Sequence, residues 1–180
     1  SAVAEVQSAN DLQRVLSWFA QGRIVRPRAA GHPDIVDLIR AIATLCGAEA
    51  LEMSPGAHGL VPLIGRHEQI VFVVIDGLGM HLLRNLSAGR ETFLLQHTAR
   101  ELHAIFPSTT AVALTSLGTG AYPAQHGLTG WWVYLEELGV ISEILPFVER
   151  FSKQNLASFG GKSEEIFKAP SLLPRFKYPT

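Results

Sequence analysis

The sequence predicts an α/β fold in which an open, mostly parallel sheet is flanked by helices. The main observation is a run of six β-branched or aromatic residues, 70–75, which stops at Asp76. A continuous apolar run of this length is typical of a parallel strand buried on both faces. A second strand is predicted over 101–106, and helices are predicted over 79–86, 91–98 and 110–117. This alternation of strands and helices favours right-handed crossovers and a parallel sheet.

The N-terminal third of the sequence has a different character. Residues 1–60 are predicted to be helical and to pack on the sheet, with one helix over 10–21 and another from about 35 to 47. A stretch rich in proline and glycine, 54–59, is expected to break the helical pattern. Residues 61–180 then carry the α/β domain, which includes one more predicted helix over 142–151 and an irregular tail.

Composition excludes several classes of protein. The chain has 180 residues, of which 47% are hydrophobic, and its net charge is -1, so no general attraction to nucleic acid or to an anionic membrane is expected. The longest apolar runs fall short of the roughly 20 residues that a membrane span needs. Cys46 is the only cysteine, and it lies in an apolar run as a buried hydrophobe. No signal peptide is recognised, and a cytoplasmic location is expected.

Two groups of polar residues follow the predicted strands. Ligands of open α/β sheets bind at the carboxyl ends of the strands, where Asp76 follows the first strand and Ser108, Thr109 and Thr110 follow the second. Asp76 is a candidate metal ligand, although an aspartate here also suits the cap of the next helix. The hydroxyls are ordinary helix caps as well, but a helix N-terminus also favours a phosphate and a nucleophilic alkoxide. Both interpretations stay open on these residues alone.

Two blocks of sequence resemble the type I phosphodiesterases and nucleotide pyrophosphatases of the alkaline phosphatase superfamily. The first block is Val-Val-Ile-Asp-Gly-Leu-Gly at 73–79, and the second joins Phe-Pro-Ser-Thr-Thr at 106–110 to Thr-Gly-Ala-Tyr-Pro-Ala-Gln-His-Gly at 119–127. In the family the nucleophile lies three residues after the proline, and the Thr-Gly pair begins nine residues after the nucleophile. Both spacings select Thr110.

The resemblance implies a metal-dependent phosphoric ester hydrolase with an alkaline phosphatase-like fold. Two divalent ions, usually zinc, hold a small phosphate ester while Thr110 attacks phosphorus. Asp76 and Thr110 are the implied metal ligands, and Thr109 and Trp131 are placed on the substrate side. Trp131 stands where nucleotide pyrophosphatases carry an asparagine, which makes nucleotide specificity doubtful. His126 lies in the second block, where the family places no metal ligand, and is interpreted as structural.

The sequence lacks the rest of the family's ligand set. The family completes its metal site with aspartates and histidines from a later half of the domain, whereas here no aspartate follows Asp76 and no histidine follows His126. We therefore expect a truncated N-terminal half that is inactive alone and prone to self-association through uncovered strand surface. The alternative is a non-catalytic α/β remnant that acts as a binding or interaction module. A plain Rossmann-like domain fits less well, because 76–80 lacks the glycine-rich first turn.

Overall fold

A computed structural model of the protein describes residues 2–24, 32–87, 90 and 92–177, without the side chains of 2–9 and 87. The chain divides into two compact units, residues 1–30 and 31–180. The first unit contains helix α1 (Ala2–Ala20), in agreement with the helix predicted over 10–21. Within it, the guanidinium groups of Arg14 and Arg23 lie 5.6 and 5.7 Å from the centroid of the Trp18 ring. The predicted packing of residues 1–60 on a sheet stays a prediction.

The second unit combines short helices with a small sheet. Its helices are α2 (Ile35–Leu45), α3 (Pro55–Ile64), α4 (Met80–Ser87), α5 (Phe93–Gln96), α6 (Thr110–Thr119), α7 (Pro123–His126) and α8 (Ser163–Ile166). Its strands are β1 (Trp132–Leu135), β2 (Val140–Glu143) and β3 (Val148–Glu149), and 3-10 turns cover Glu136–Leu138, Leu156–Phe159 and Leu173–Arg175. None of the helices in the described part of the chain is long and apolar enough to cross a membrane.

Helix α2 lies at the centre of this unit, against α3 and α6. It begins after Asp34, whose carboxylate accepts hydrogen bonds from the backbone N–H groups of Val36 and Asp37. Its apolar side chains enter two buried clusters. One cluster contains Ile39, Ile42, Ala43, Ala48 and Leu172, and the other contains Val36, Ile105 and Val112. The second cluster joins α2 to the first turn of α6, which positions the candidate site.

The segment 54–59, expected to break the helical pattern, instead begins α3. Ser54 caps this helix, because its hydroxyl accepts a hydrogen bond from the N–H of Ala57 at 3.0 Å. Pro55 occupies the first helical position, where its missing N–H costs nothing. Burial of Ala57 and Leu60 then offsets the low helix propensity of the two glycines. The prediction was wrong because it read proline and glycine as breakers where capping and packing favour a helix.

The open parallel sheet is not what the structure shows. Within the described residues, 70–75 belongs to no strand, and Val71 and Val73 are 85% and 70% exposed. The predicted strand 101–106 contributes only a single parallel bridge, between His103 and Asp34. The β-branched and aromatic residues of this run favour a strand, but a strand forms only where a neighbouring strand supplies hydrogen-bond partners for its backbone. The described part of the chain supplies no such neighbour for 70–75.

The helix predicted over 142–151 is also wrong, because this region is a β-meander. β2 pairs antiparallel with β1, Ser142 opposite Val133, and with β3, Ser142 opposite Glu149. Phe147, which follows Pro146, has a φ of 56°, a left-handed conformation that ends any helix. The side chain of Ser142 is fully buried and donates to the carbonyl of Val133 at 2.8 Å, so it stabilises the sheet.

Candidate active site

Asp76 and Thr110 meet in the folded chain, although they lie far apart in sequence. The hydroxyl of Thr110 donates a hydrogen bond to Oδ2 of Asp76 at 3.0 Å. Asp76 is exposed and Thr110 is half-buried, so the pair is open to solvent and to a ligand. The structure therefore brings together the two residues on which the sequence prediction of chemistry depends. Their chemical roles stay predictions.

A glycine turn follows Asp76 and separates it from helix α4. Gly77 has a φ of 73°, a conformation that glycine adopts without strain, and the N–H of Gly79 donates to the carbonyl of Gly77 at 3.2 Å. Helix α4 begins only at Met80, so Asp76 does not occupy its N-cap position. The capping interpretation of Asp76 is thus not supported, and its carboxylate faces the start of α6 instead.

Thr109 is the N-cap of α6, yet its side chain does not cap the helix. Its backbone is extended, with a φ of -98° and a ψ of 152°, and its carbonyl accepts from the N–H of Ala113 at 2.9 Å. Its hydroxyl is shielded from solvent and has no hydrogen-bond partner in the described part of the chain. The N–H groups of the first turn are therefore not occupied by this hydroxyl, and they form the positive end of the helix. A substrate would reach the Thr109 hydroxyl only after this region rearranges.

Trp131, the other predicted substrate residue, lies just before β1. Trp131 as a whole residue is 37% exposed, and its carbonyl accepts from the N–H of Ile144 at 3.4 Å. No hydrogen bond or ring contact found among the described residues joins it to Asp76 or Thr110. The neighbouring Trp132 is more exposed, donates to Glu143 at 3.3 Å and stacks against the guanidinium of Arg150 at 4.4 Å. The role of Trp131 stays a prediction.

His126 has a structural role, as the sequence analysis expects. It is fully buried, and its Nδ1 accepts from the N–H of Leu128 at 3.2 Å. The proton of the neutral ring therefore lies on Nε2, which contacts the hydroxyl of Ser116 at 2.9 Å. Burial lowers the pKa of His126 below its ordinary value. This neutral histidine fixes the loop after α7 to the buried face of α6.

The described residues do not complete a two-metal centre. Asp76 and Thr110 supply one carboxylate and one hydroxyl, which suit a divalent ion as oxygen ligands. Zinc sites use three or four protein ligands, but no group of three or more His, Cys, Asp or Glu in the described chain is arranged to hold a metal. The donor set therefore fits part of a metal site and not the whole of it.

A buried network of polar side chains beside α6 was not predicted from the sequence. Arg40 donates from Nε to the carbonyl of Gly120 at 2.7 Å, and Tyr122 donates from its hydroxyl to Oδ2 of Asp34 at 3.0 Å. Asp37 accepts from the hydroxyl of Ser54 at 2.5 Å. One signal was present in the sequence, because Asp34 and Asp37 have the spacing of a capping box directly before an apolar run. The contacts with Tyr122 and Gly120 join residues too distant in sequence for any local pattern.

One segment of the chain is similar to a known protein family. Residues 70–143 match the family model described as type I phosphodiesterase / nucleotide pyrophosphatase. The matched segment contains Asp76, Thr109, Thr110 and Trp131. No curated protein and no solved structure matches the chain. The family assignment made from the two sequence blocks is thereby confirmed for this segment, and it indicates a hydrolase of phosphoric esters.

Proposed function

We propose that this chain supplies the nucleophile and one metal ligand of a phosphoric ester hydrolase, a role that fits the family of residues 70–143. The observation that carries the proposal is the 3.0 Å hydrogen bond from Thr110 to Asp76. A threonine is a weak nucleophile until an adjacent group activates it. Here a carboxylate already contacts the hydroxyl that would attack.

The reaction proceeds in two steps at Thr110. Its oxygen forms a bond to phosphorus while the bond between phosphorus and the leaving alkoxide breaks, which leaves a phosphorylated threonine. Asp76 orients the hydroxyl, accepts its proton at Oδ2 and releases that proton to solvent, while the leaving alkoxide takes up one proton from solvent and becomes an alcohol. In the second step the oxygen of a water molecule forms a bond to phosphorus while the bond between phosphorus and the Thr110 oxygen breaks. One proton of the water returns to the Thr110 oxygen, and the phosphate product keeps the new hydroxyl. The N–H groups at the start of α6 stabilise the negative phosphoryl oxygens.

We further propose that the active protein uses two divalent metal ions, with zinc expected. Such ions neutralise the charge of the phosphate and lower the pKa of bound oxygen groups. Asp76 and Thr110 provide only part of the site, so the remaining ligands belong to polypeptide outside these 180 residues. This chain alone is then a truncated and inactive portion of the enzyme. The expected substrate is a small phosphate ester, with Thr109 and Trp131 on its side of the site.

The proposal is tested with the protein encoded by the complete gene, loaded with zinc and assayed on bis(4-nitrophenyl) phosphate. Thr110→Ala is expected to lower kcat by about a thousandfold or more, because it removes the attacking oxygen. Thr98→Val is the matched control, since Thr98 is exposed and its hydroxyl donates to the carbonyl of Leu94 at 2.9 Å. Retention of the wild-type rate by Thr110→Ala would contradict the proposal.

The second candidate function is a non-catalytic binding or interaction module. Two observations favour it: the described residues contain no complete metal-binding group, and the apolar segment 71–75 is exposed. A partner that covers this segment would bury apolar surface and supply a hydrogen-bond ladder. Zinc-dependent hydrolysis by the complete protein excludes this candidate. The absence of turnover, together with stable binding of a partner protein, supports it.

A further inference from the structure

We propose that Tyr122 is a positioning residue for Thr110, and that it acts through its hydrogen bond to Asp34. The inference rests on the proposed function only where it concerns catalysis by Thr110. The structural part concerns how the first turn of α6 is fixed, and it can be tested without turnover. Thr110 is the first residue of α6, whereas Tyr122 lies beyond the C-terminal end of this helix.

The chain after α6 folds back on the helix. Gly120 ends α6 in a left-handed conformation with a φ of 64°, and its N–H donates to the carbonyl of Ser116 at 2.8 Å. This turn returns Tyr122 toward the start of α6. There the tyrosine ring packs against the cluster of Val36, Ile105 and Val112, the last of which belongs to the first turn of α6.

Asp34 joins three parts of the chain at this point. Oδ1 accepts from the N–H groups of Val36 and Asp37, at 2.9 and 3.0 Å, while Oδ2 accepts from the Tyr122 hydroxyl at 3.0 Å. The backbone around Asp34 also pairs with His103: the N–H of Ile35 donates to the carbonyl of His103 at 3.2 Å. His103 belongs to the segment that leads into α6. Asp34 thus holds the chain both before and after the helix that carries Thr110.

Arg40 contacts both the ring of Tyr122 and the backbone at the end of α6. Its guanidinium lies 5.6 Å from the ring centroid of Tyr122, and its Nε donates to the carbonyl of Gly120 at 2.7 Å. Asp34 and Arg40 are only 3% and 7% exposed, so these contacts are made where water competes little. Removal of the Tyr122 hydroxyl leaves the ring in place but takes this donor from Asp34. We expect the first turn of α6, and with it the Thr110 hydroxyl, to shift relative to Asp76.

The test uses the whole 180-residue chain with threonine labelled at its ¹³C methyl group. The measured quantity is the change in chemical shift of the Thr110 methyl group that Asp76→Asn causes. This change is measured once in the otherwise wild-type chain and once in the chain that also carries Tyr122→Phe. The expected result is that the change in the Thr110 resonance falls by at least half in Tyr122→Phe. Tyr134→Phe is the matched control, because Tyr134 lies on β1 with 62% of its surface exposed, and it should leave the change unaltered.

A purely structural role predicts a different pattern. In that case Tyr122→Phe lowers the unfolding midpoint, but the response of Thr110 to Asp76→Asn stays at its wild-type size, and the inference is overturned. Should Tyr122→Phe fail to fold, Asp34→Asn takes its place. Asparagine retains an acceptor for the helix cap but turns a donor toward the tyrosine, so the response of Thr110 should again fall.

Turnover provides the second readout, in the complete zinc-loaded protein. Tyr122→Phe should lower kcat about tenfold with little change in KM, since a small displacement of a nucleophile lowers the rate without loss of binding. If Thr110→Ala leaves hydrolysis unchanged while Tyr122→Phe still halves the response of the Thr110 resonance to Asp76→Asn, the proposed function fails and the positioning role stands. If Thr110→Ala abolishes hydrolysis but Tyr122→Phe alters neither kcat nor that response, only the positioning role fails.

Discussion

Nε2 of His126 lies 2.9 Å from the hydroxyl of Ser116, and both side chains are fully buried. Because Nδ1 accepts from the N–H of Leu128, a proton added there would face another donor. Burial also opposes the charge and lowers the pKa of His126. The folded state therefore requires the neutral ring.

The first prediction concerns the pH dependence of stability. The unfolded chain binds a proton on this histidine near the ordinary value of 6.5, whereas the folded chain binds it only at lower pH. The contribution of His126 to the free energy of unfolding is thus complete above pH 6.5. As pH falls below this value, the free energy of unfolding decreases by at most about 1.4 kcal/mol per pH unit. Urea unfolding of wild type and His126→Gln at several pH values measures this difference, with the exposed His58→Gln as control. A difference in stability that does not change with pH would contradict the prediction.

The second prediction uses two glycines of α3. A Cβ atom on Gly56 would lie 2.5 Å from Oδ2 of Asp37 and 3.2 Å from the backbone of Pro33, whereas a Cβ atom on Gly59 meets nothing within 4 Å. Gly56→Ala should lower the free energy of unfolding by about 1–3 kcal/mol, because the buried carboxylate has to move. Gly59→Ala should raise the free energy of unfolding by about 0.5–1 kcal/mol through better helix propensity. Equal effects in chemical denaturation would refute the packing described for Asp37.

The third prediction concerns two threonines with different hydrogen-bond partners, Thr109 at the N-cap of α6 and Thr115 within the helix. The Thr109 hydroxyl is buried without a partner among the described residues, whereas the Thr115 hydroxyl donates to the carbonyl of Ala111 at 2.8 Å. Thr109→Val should therefore raise the free energy of unfolding by about 1 kcal/mol, and Thr115→Val should lower it by a similar amount. Thermal unfolding of both variants gives the signs. Destabilisation by Thr109→Val would mean that its hydroxyl has a partner in solution.

The fourth prediction concerns self-association through 70–75. This segment is uncharged and β-branched or aromatic throughout, and it pairs with no strand in the described part of the chain, which are the properties of an edge that recruits another strand. Val73→Lys should weaken concentration-dependent association of the 180-residue chain in sedimentation velocity. Leu86→Lys is the matched control, since Leu86 and Val73 are both 70% exposed. Behaviour of the wild-type chain as a monomer at all concentrations would show that the segment recruits no second copy.

Local sequence patterns predicted several helices correctly, but they missed the start of α3, predicted a helix where the β-meander lies, and predicted the strands poorly. Apolar spacing indicated α2 and α6, and the agreement is close because helix hydrogen bonds join residues that are near in sequence. Among the residues that the structure describes, the run 70–75 pairs with no strand, and the meander at 140–149 was missed, since strand formation depends on partners elsewhere in the chain. In the same way, two spacings within the family's sequence blocks selected Thr110, but the contacts of Tyr122 with Asp34 and Arg40 arise only from the fold.

The most direct test of the central claim is to locate the phosphoryl group during turnover. The complete zinc-loaded protein is mixed with bis(4-nitrophenyl) phosphate and quenched in acid, and its peptides are then analysed by mass spectrometry. We expect a 4-nitrophenyl phosphoryl adduct on the side chain of Thr110 in the wild type, because only one of the two nitrophenolate groups leaves in the first step, and no adduct in Thr110→Ala. Steady turnover with the adduct on Ser108 or Thr109, or with no adduct on this segment, would show that Thr110 is not the nucleophile.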